Sequence, residues 1–299
     1  MRSIYVRLNG GLGNQLFQFA AGYALSKKIN SSLYLDCQLY QISEFDNYKR
    51  ECEIDKVINP KDFTLISSTM FLPSRLWKLK RLFYTLLHEI GIQKYRFIRE
   101  NKSGFDKNFF LLLNDNLFLD GYWQSEKYFF EYKDEVKNIF NIFFHTIPKY
   151  LDLYKGICLK NSVCVDIRKG DYVSSFKKLS VHGELSDDYY KKCIDRIEIL
   201  IESPEYFIFC DNINDIPSPF KSKSCHIVDV KHFGENYHNK LRLMTLCSNF
   251  IIPNSTFTWW AAYMCKNKNK IIIGPENWVK NKNNMYRMPK KWIKVGNDV

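Results

Sequence analysis

The stretch VCVDIRKGDYV, Val163–Val173, runs from apolar residues straight into charge. Val163, Cys164, Val165 and Ile167 read as the end of a buried strand, while Asp166, Arg168, Lys169 and Asp171 crowd around Gly170. In open α/β sheets ligands bind at the carboxyl ends of the strands, and Arg168 stands at such an end. Its planar fork of donors matches phosphate oxygens, Lys169 adds a second cation, and Gly170 permits a turn beneath them. A solvated loop with an Arg–Asp surface pair is the alternative that this stretch alone leaves open.

Outward from this strand the second half of the chain alternates. A helix is expected over about 186–201 and a strand over Tyr206–Cys210, followed by a Pro/Ser-rich connection and a strand over His226–Val230. A helix over Asn239–Cys247, a strand over Phe250–Ile252, a helix over Thr256–Cys265 and a strand over Lys270–Ile273 continue the pattern. The first half opens as a β-α-β unit: strand Ile4–Leu8, Gly-rich turn Asn9–Gly13, helix Asn14–Lys28, then strand Ser32–Leu35 ending at Asp36. Along that helix Leu16, Phe17, Ala20, Ala21, Ala24 and Leu25 recur at helical spacing. Residues from about 60 to 100 are basic and aromatic and read as helical; LFLDGYWQSEKYF, from Leu117, reads as a strand leading into a helix. Strands alternating with helices imply parallel sheets covered on both faces. The weakest periodicity lies at about 140–160, around Pro148, which places the boundary of two α/β domains at 1–155 and 156–299.

Three further strand ends carry ligand-friendly chemistry. In NGGLGNQLFQFA, Asn9–Ala20, glycines between strand and helix let backbone N–H groups approach an anion at a helix N-terminus. Gly11 and Gly13 begin a dinucleotide fingerprint, but Leu16 occupies the place of its third glycine; Asp36 does imitate the ribose-binding acid of that fold. In IIPNSTFTWWAAYM, Ile251–Met264, Ser255 and Thr256 stand where they cap a helix and expose its first N–H groups, and Trp259 and Trp260 read as core. FIFCDN, Phe207–Asn212, ends a buried strand in Asp211, a carboxylate that can accept two N–H bonds from a purine, hold a ribose hydroxyl pair, or cap the next turn.

The bulk properties bound the partners. With 45% hydrophobic and 16% aromatic residues the chain has ample material for buried cores. It carries 44 Lys+Arg against 32 Asp+Glu, a formal charge of +12 that suits an anionic partner: nucleic acid, a phosphorylated small molecule or a membrane surface. Nine cysteines with no C-x-x-C pair read as reduced core thiols of a cytosolic protein. With neither an apolar leader at MRSIYVRLNGG nor an 18-residue uncharged apolar run, the expectation is a soluble cytoplasmic protein whose basic surface can hold it at a membrane. Arg75, Lys78, Lys80 and Arg81 read as a solvated or membrane-facing helix surface. A basic nucleic-acid-binding protein remains an alternative, although no known binding motif is present and acids are interspersed throughout. A nicotinamide-dependent oxidoreductase using Gly11, Gly13 and Asp36 is another.

Taken together, G-G-L-G-N-Q-L-F-Q-F-A, D-I-R-K-G-D-Y and N-S-T-F-T-W-W-A-A resemble the alpha-1,2-fucosyltransferases, in this order and at comparable spacing, from Ile4 to about Trp278. The resemblance implies a GT-B fold, with two Rossmann-like domains whose parallel sheets face a cleft. The first domain would serve the acceptor and the second the GDP-sugar. It implies metal-independent, inverting transfer of L-fucose from GDP-fucose, usually to O2 of a terminal galactoside, with no cofactor. The acceptor class is a galactose-containing glycan or lipid-linked oligosaccharide, as in O-antigen synthesis. Residue by residue, Arg168 is expected on the leaving pyrophosphate with Lys169 beside it, and Asp211 near the guanine. Ser255, Thr256 and Phe257 are expected around the phosphates and nucleoside, and Asn14 beside the donor's pyrophosphate or sugar. Asp171 leads Asp166 and Glu184 as the base for the acceptor hydroxyl, because it shares the loop with the cations. The family pattern is His-x-Arg-Arg-Gly-Asp-Tyr, whereas this chain has Asp166 for the His and Lys169 for the second Arg. The first change puts a negative charge beside the nucleotide, and it raises a deoxy relative of fucose on GDP, such as colitose, as the alternative donor.

Overall fold

The computed structural model describes residues 2–41, 50–59, 61, 63–67, 77–91, 95–100, 105–111, 116–144, 155–167, 185–228, 237–279 and 287–297. The chain forms two compact units, Met1–Phe143 and Phe144–Val299, each around a parallel sheet of its own.

The first unit runs β1 (Ser3–Arg7), α1 (Leu12–Ile29), β2 (Ser32–Asp36), β3 (Thr64–Ile66), α2 (Trp77–Glu89), β4 (Tyr95–Arg99), β5 (Asn116–Asp120) and α3 (Lys133–Phe144). Its sheet has the order β3-β2-β1-β5-β4 with every pairing parallel. The chain leaves β1 in one direction for β2 and β3 and returns to β1's other side with β5, so the order reverses between β1 and β5. Loops at the carboxyl ends of such a pair part and leave a crevice. α1 begins two residues before the expected start, with Gly11 at its N-cap, and is buried almost all round.

The 60–100 stretch departs from the helical expectation. Among the described residues of this stretch the α-helix covers Trp77–Glu89, between the two strands β3 and β4. Tyr95 and Phe97 alternate along β4 so that Tyr95 meets the edge of Tyr5 at 5.1 Å and Phe97 packs on Phe118 at 5.0 Å. These partners come from β1 and β5, so the sheet, and not local propensity, fixes this segment as strand. After β5 the chain makes two 3-10 turns, Glu126–Tyr128 and Phe130–Tyr132, before α3.

The second unit runs β6 (Ser162–Ile167), α4 (Asp187–Leu200), β7 (Glu205–Cys210), β8 (Cys225–Val228), α5 (Tyr237–Leu246), β9 (Asn249–Ile251), α6 (Thr256–Met264), β10 (Ile272–Pro275) and β11 (Ile293–Val295). The order is β11-β10-β9-β6-β7-β8, again all parallel, and the reversal lies between β6 and β9. β6 is buried at every residue. Its alternation sends Val163, Val165 and Ile167 to the face covered by Tyr189, Cys193, Ile194 and Ile197 of α4. Ser186 starts α4, accepting from the Tyr189 N–H at 3.3 Å, and Asp187 and Asp188 sit favourably in its first turn. Trp259 and Trp260 are fully buried in the core, as expected. All nine cysteines carry free thiols.

At the end of β1, Arg7 and Asp36 face each other in register across β1 and β2, at 3.5 Å and both buried. Burial pulls the Arg7 guanidinium down from its ordinary value, while Asp36 and Asp120 push it back up. Arg7→Met strips Asp36 of this buried counter-charge and is expected to cost about 3–5 kcal/mol of stability. Arg7→Met/Asp36→Asn, which removes both charges, should regain most of that. Urea unfolding of the two variants checks the ordering, and equal midpoints would contradict it.

Candidate active site

In the second unit the site grows from the carboxyl ends of β6, β7 and β9. Because Val165 and Ile167 face α4, the intervening Asp166 points to the opposite face, where α5 and α6 lie. There its carboxylate accepts a short hydrogen bond from the Thr258 hydroxyl of α6, and its other oxygen lies 3.3 Å from the Lys240 ammonium of α5. Lys240 is itself buried and stands 3.5 Å from Asp211, the residue that follows β7. Asp211 is about half exposed, its side chain at 48%. The negative charge of Asp166 is therefore met inside the fold by Lys240 and Thr258.

Asp211 does not cap the turn after β7: Asn212 does, its side-chain oxygen accepting from the Asn214 N–H at 3.0 Å. Beside this cluster the half-buried Phe257 ring, in the first turn of α6, meets the edge of Tyr237 at 6.5 Å. Tyr237 is 55% exposed and lies one turn before Lys240 on α5. The turn from β9 into α6 is held by Tyr189, whose hydroxyl donates to the Ile252 carbonyl at 2.6 Å, and by Asn254, whose amide donates to the Trp278 carbonyl at 3.4 Å. Ser255 occupies the N-cap of α6 with extended backbone, but its side chain makes no capping hydrogen bond, contrary to the capping role expected for it. Thr256 follows as the first helical residue and is half-buried.

In the first unit the corresponding turn is fixed by buried amides. Gly10 has φ +78, and a Cβ there would lie 2.4 Å from the Asn14 side chain. The Asn14 side-chain oxygen accepts from Gln124 at 2.8 Å, and Gln18 donates to the Gly121 carbonyl at 3.0 Å. These two bonds tie the start of α1 to the loop after β5, across the point where the strand order reverses. Gln15 donates to the Gly10 carbonyl at 3.2 Å and the Glu51 carbonyl at 3.0 Å; the Tyr40 hydroxyl also donates to Gly10, at 2.7 Å. Burial pushes the Tyr40 phenol up, which keeps it a donor. In the loop after β5 the buried Trp123 adopts a left-handed backbone, φ +54, a strained conformation for so bulky a residue and one often found at ligand sites.

Asp36 is 1% exposed, paired with Arg7 and accepting from the Gln38 N–H at 3.0 Å. It is not presented to a ribose, which removes the acid that the nicotinamide reading requires. Of the residues expected at the site, Asp166, Asp211, Ser255, Thr256 and Phe257 gather at adjoining strand ends of the second unit, and Asn14 lies in the first. Arg168, Lys169, Asp171 and Glu184 lie outside the described residues. Among the described residues no group of three or more His, Cys, Asp or Glu is placed to hold a metal ion. Sequence reading missed Lys240, although it sits at helical spacing with the apolar Leu243 and Met244 and so on the buried stripe of α5. A lysine in that register is a signal for a buried ion pair.

The chain spans nearly the whole length of two similar bacterial proteins. It is 32% identical over 285 residues to an alpha-1,2-colitosyltransferase of Escherichia coli, covering 93% of each chain. It is 27% identical over 292 residues to the O-antigen biosynthesis glycosyltransferase WbnK of the same species, covering 92% of this chain and 94% of WbnK. Among solved structures, Arabidopsis thaliana FUT1 with GDP gives a TM-score of 0.49 at 12% identity, over 93% of this chain and 71% of that one. The fucosyltransferase NodZ from Bradyrhizobium gives 0.46 at 14%, over 87% and 91%. The model of glycosyl transferase family 11 matches residues 3–295, and with two parallel-sheet α/β units and all three motifs inside that span, the chain is a glycosyltransferase belonging to this family.

Proposed function

We propose that this glycosyltransferase moves a deoxyhexose from its GDP ester to O2 of a terminal galactoside, with inversion at C1, in the building of a glycan such as an O-antigen. The observation that carries the reading is the pairing, where the strand order of the second unit reverses, of the β6 end that leads into Arg168 with the start of α6. In this reading the acceptor O2 attacks C1 and gives its proton to Asp171. The C1–O bond to the β-phosphate breaks with its electron pair on GDP. Arg168, Lys169 and the N-terminal dipole of α6 oppose the charge that collects there, so no metal ion and no cofactor is called for. Ser255, Thr256 and Phe257 border the phosphates and nucleoside, and the acceptor is a galactose-containing glycan or lipid-linked oligosaccharide.

L-Fucose is the first donor reading. Colitose, which is fucose without its 3-hydroxyl, is the second; the 32% identity to a colitosyltransferase favours it. A panel of GDP-sugars with terminal galactosides, the product linkage read by NMR, separates the two. GDP should bind in calorimetry with divalent ions chelated; binding that appears only on adding magnesium or manganese would overturn the mechanism. Arg168→Ala should remain folded and lower turnover about a hundredfold or more, the size found for losing one oxyanion donor. Turnover close to wild type would remove Arg168 from its role.

We also propose that the protein is cytoplasmic and rests on the inner face of the membrane through α2. Among the described residues no helix is long and apolar enough to cross a bilayer. Leu82, Phe83, Leu86 and Ile90 are each 57–61% exposed and fall within one sector of the helix, about 100° wide at 100° per residue. The same segment carries Arg75, Lys78, Lys80 and Arg81. An exposed apolar stripe in a segment whose sequence also carries cations suits an anionic surface. The protein should co-sediment with phosphatidylglycerol vesicles and not with phosphatidylcholine, and Leu82→Ser/Leu86→Ser should release it. Equal recovery with both lipids, or no release, would count against the attachment.

A further inference from the structure

The buried lysine of α5 has no part in the chemistry just described, yet it links the inside of the second unit to its half-exposed strand-end acid. Removing an ammonium from water costs several kcal/mol unless it is well paired. One carboxylate would balance Lys240, but two flank it: Asp166 at 3.3 Å, buried and anchored by Thr258, and Asp211 at 3.5 Å. The three side chains sum to one net negative charge. Asp166 is 2% exposed, so the accessible share of that charge rests on Asp211. Asp211 follows the last residue of β7, with one oxygen 3.5 Å from Lys240.

A carboxylate with one oxygen held by a buried cation suits a ligand with two adjacent in-plane N–H donors. Guanine offers that pattern at N1–H and the 2-amino group; adenine places a ring acceptor next to its amino group instead. A carboxylate oxygen accepts more than one hydrogen bond, so the contact to Lys240 leaves room for the base.

We propose that Lys240 is a positioning residue: anchored by Asp166, it sets the Asp211 carboxylate against the N1–H and 2-amino edge of guanine and so makes the enzyme selective for guanine nucleotides. The inference rests on the GDP reading above and gives it a mechanism for choosing the base. In this reading Lys240 acts through Asp211 and not on the sugar.

The experiment compares GDP with IDP, which lacks only the 2-amino group, by calorimetry on the full chain. The wild type should bind GDP about tenfold or more tightly than IDP, the size of one charge-assisted hydrogen bond. Lys240→Met/Asp166→Asn removes the buried charges together, so it tests for positioning without leaving Asp166 unpaired. It should melt as a folded protein and bind the two nucleotides within about threefold of each other. If Lys240 served only to neutralise Asp166, this variant would keep the wild-type preference, and that result overturns the proposal. Should the double variant fail to fold, Asp211→Ala carries the test: loss of the preference supports the proposal and an unchanged ratio defeats it. Wild-type protein that binds both nucleotides equally defeats the base contact while leaving the GDP reading intact. Wild-type protein that binds neither overturns the GDP reading itself.

Discussion

The second unit depends on a strand that has to be buried on both sides. β6 runs through the middle of a parallel sheet, with β7 on one flank and β9 on the other, and no residue of it reaches solvent. Residues pointing alternately up and down must then satisfy two different environments. Toward α4 the requirement is met with Val163, Val165 and Ile167 against an apolar helix face. Toward α5 and α6 the strand places an acid, and a buried carboxylate needs a cation and a donor close by. Lys240 and Thr258 are those groups. The position of α5 and α6 over the sheet is thus tied to charge as well as to packing, and the same contacts reach Asp211 at the accessible end of β7.

The first unit solves a comparable problem without charge. The turn between β1 and α1 and the loop after β5 meet where the strand order reverses, and both expose backbone groups that need partners. Buried amides supply them: Gln18 bridges Asn9 and Gly121, Gln15 bridges Gly10 and the segment at Glu51–Glu53, and Asn14 takes Gln124. An amide side chain both donates and accepts, so one residue can satisfy two loops at once. The strained Trp123 sits in that framework, packed on Phe109 and Tyr128. A glutamine on a helix facing a sheet is a packing liability anywhere else; here it sets the loop geometry.

The family relationship gains physical content from these arrangements. The strands that precede the R-K-G-D and N-S-T motifs, far apart in the chain, are neighbours in the sheet, β6 beside β9. Asp166 belongs with Lys240, 74 positions later in the chain, as one half of an ion pair. Read alone the acid looks like a ligand-facing group; paired, it holds the wall of the site.

Period-two apolar runs and glycine turns determined, without any structure, that the chain is α/β, that strands begin at Ser3, Ser162, Glu205 and Asn249 to within a residue or so, and that the ends of β6, β7 and β9 carry the polar chemistry. Those signals are local, because burial on two faces leaves no choice of residue type. The same signals failed at Thr64–Ile66, whose strand state rests on parallel pairing with β2, and at Tyr95–Arg99, whose strand state rests on ring contacts with β1 and β5, and they were silent on Lys240, whose partners lie on other elements. Which of Asp36, Asp166 and Asp211 faces solvent was likewise decided only by tertiary structure, since a carboxylate's availability depends on whether the fold brings a cation to it, and no spacing along the chain encodes that meeting.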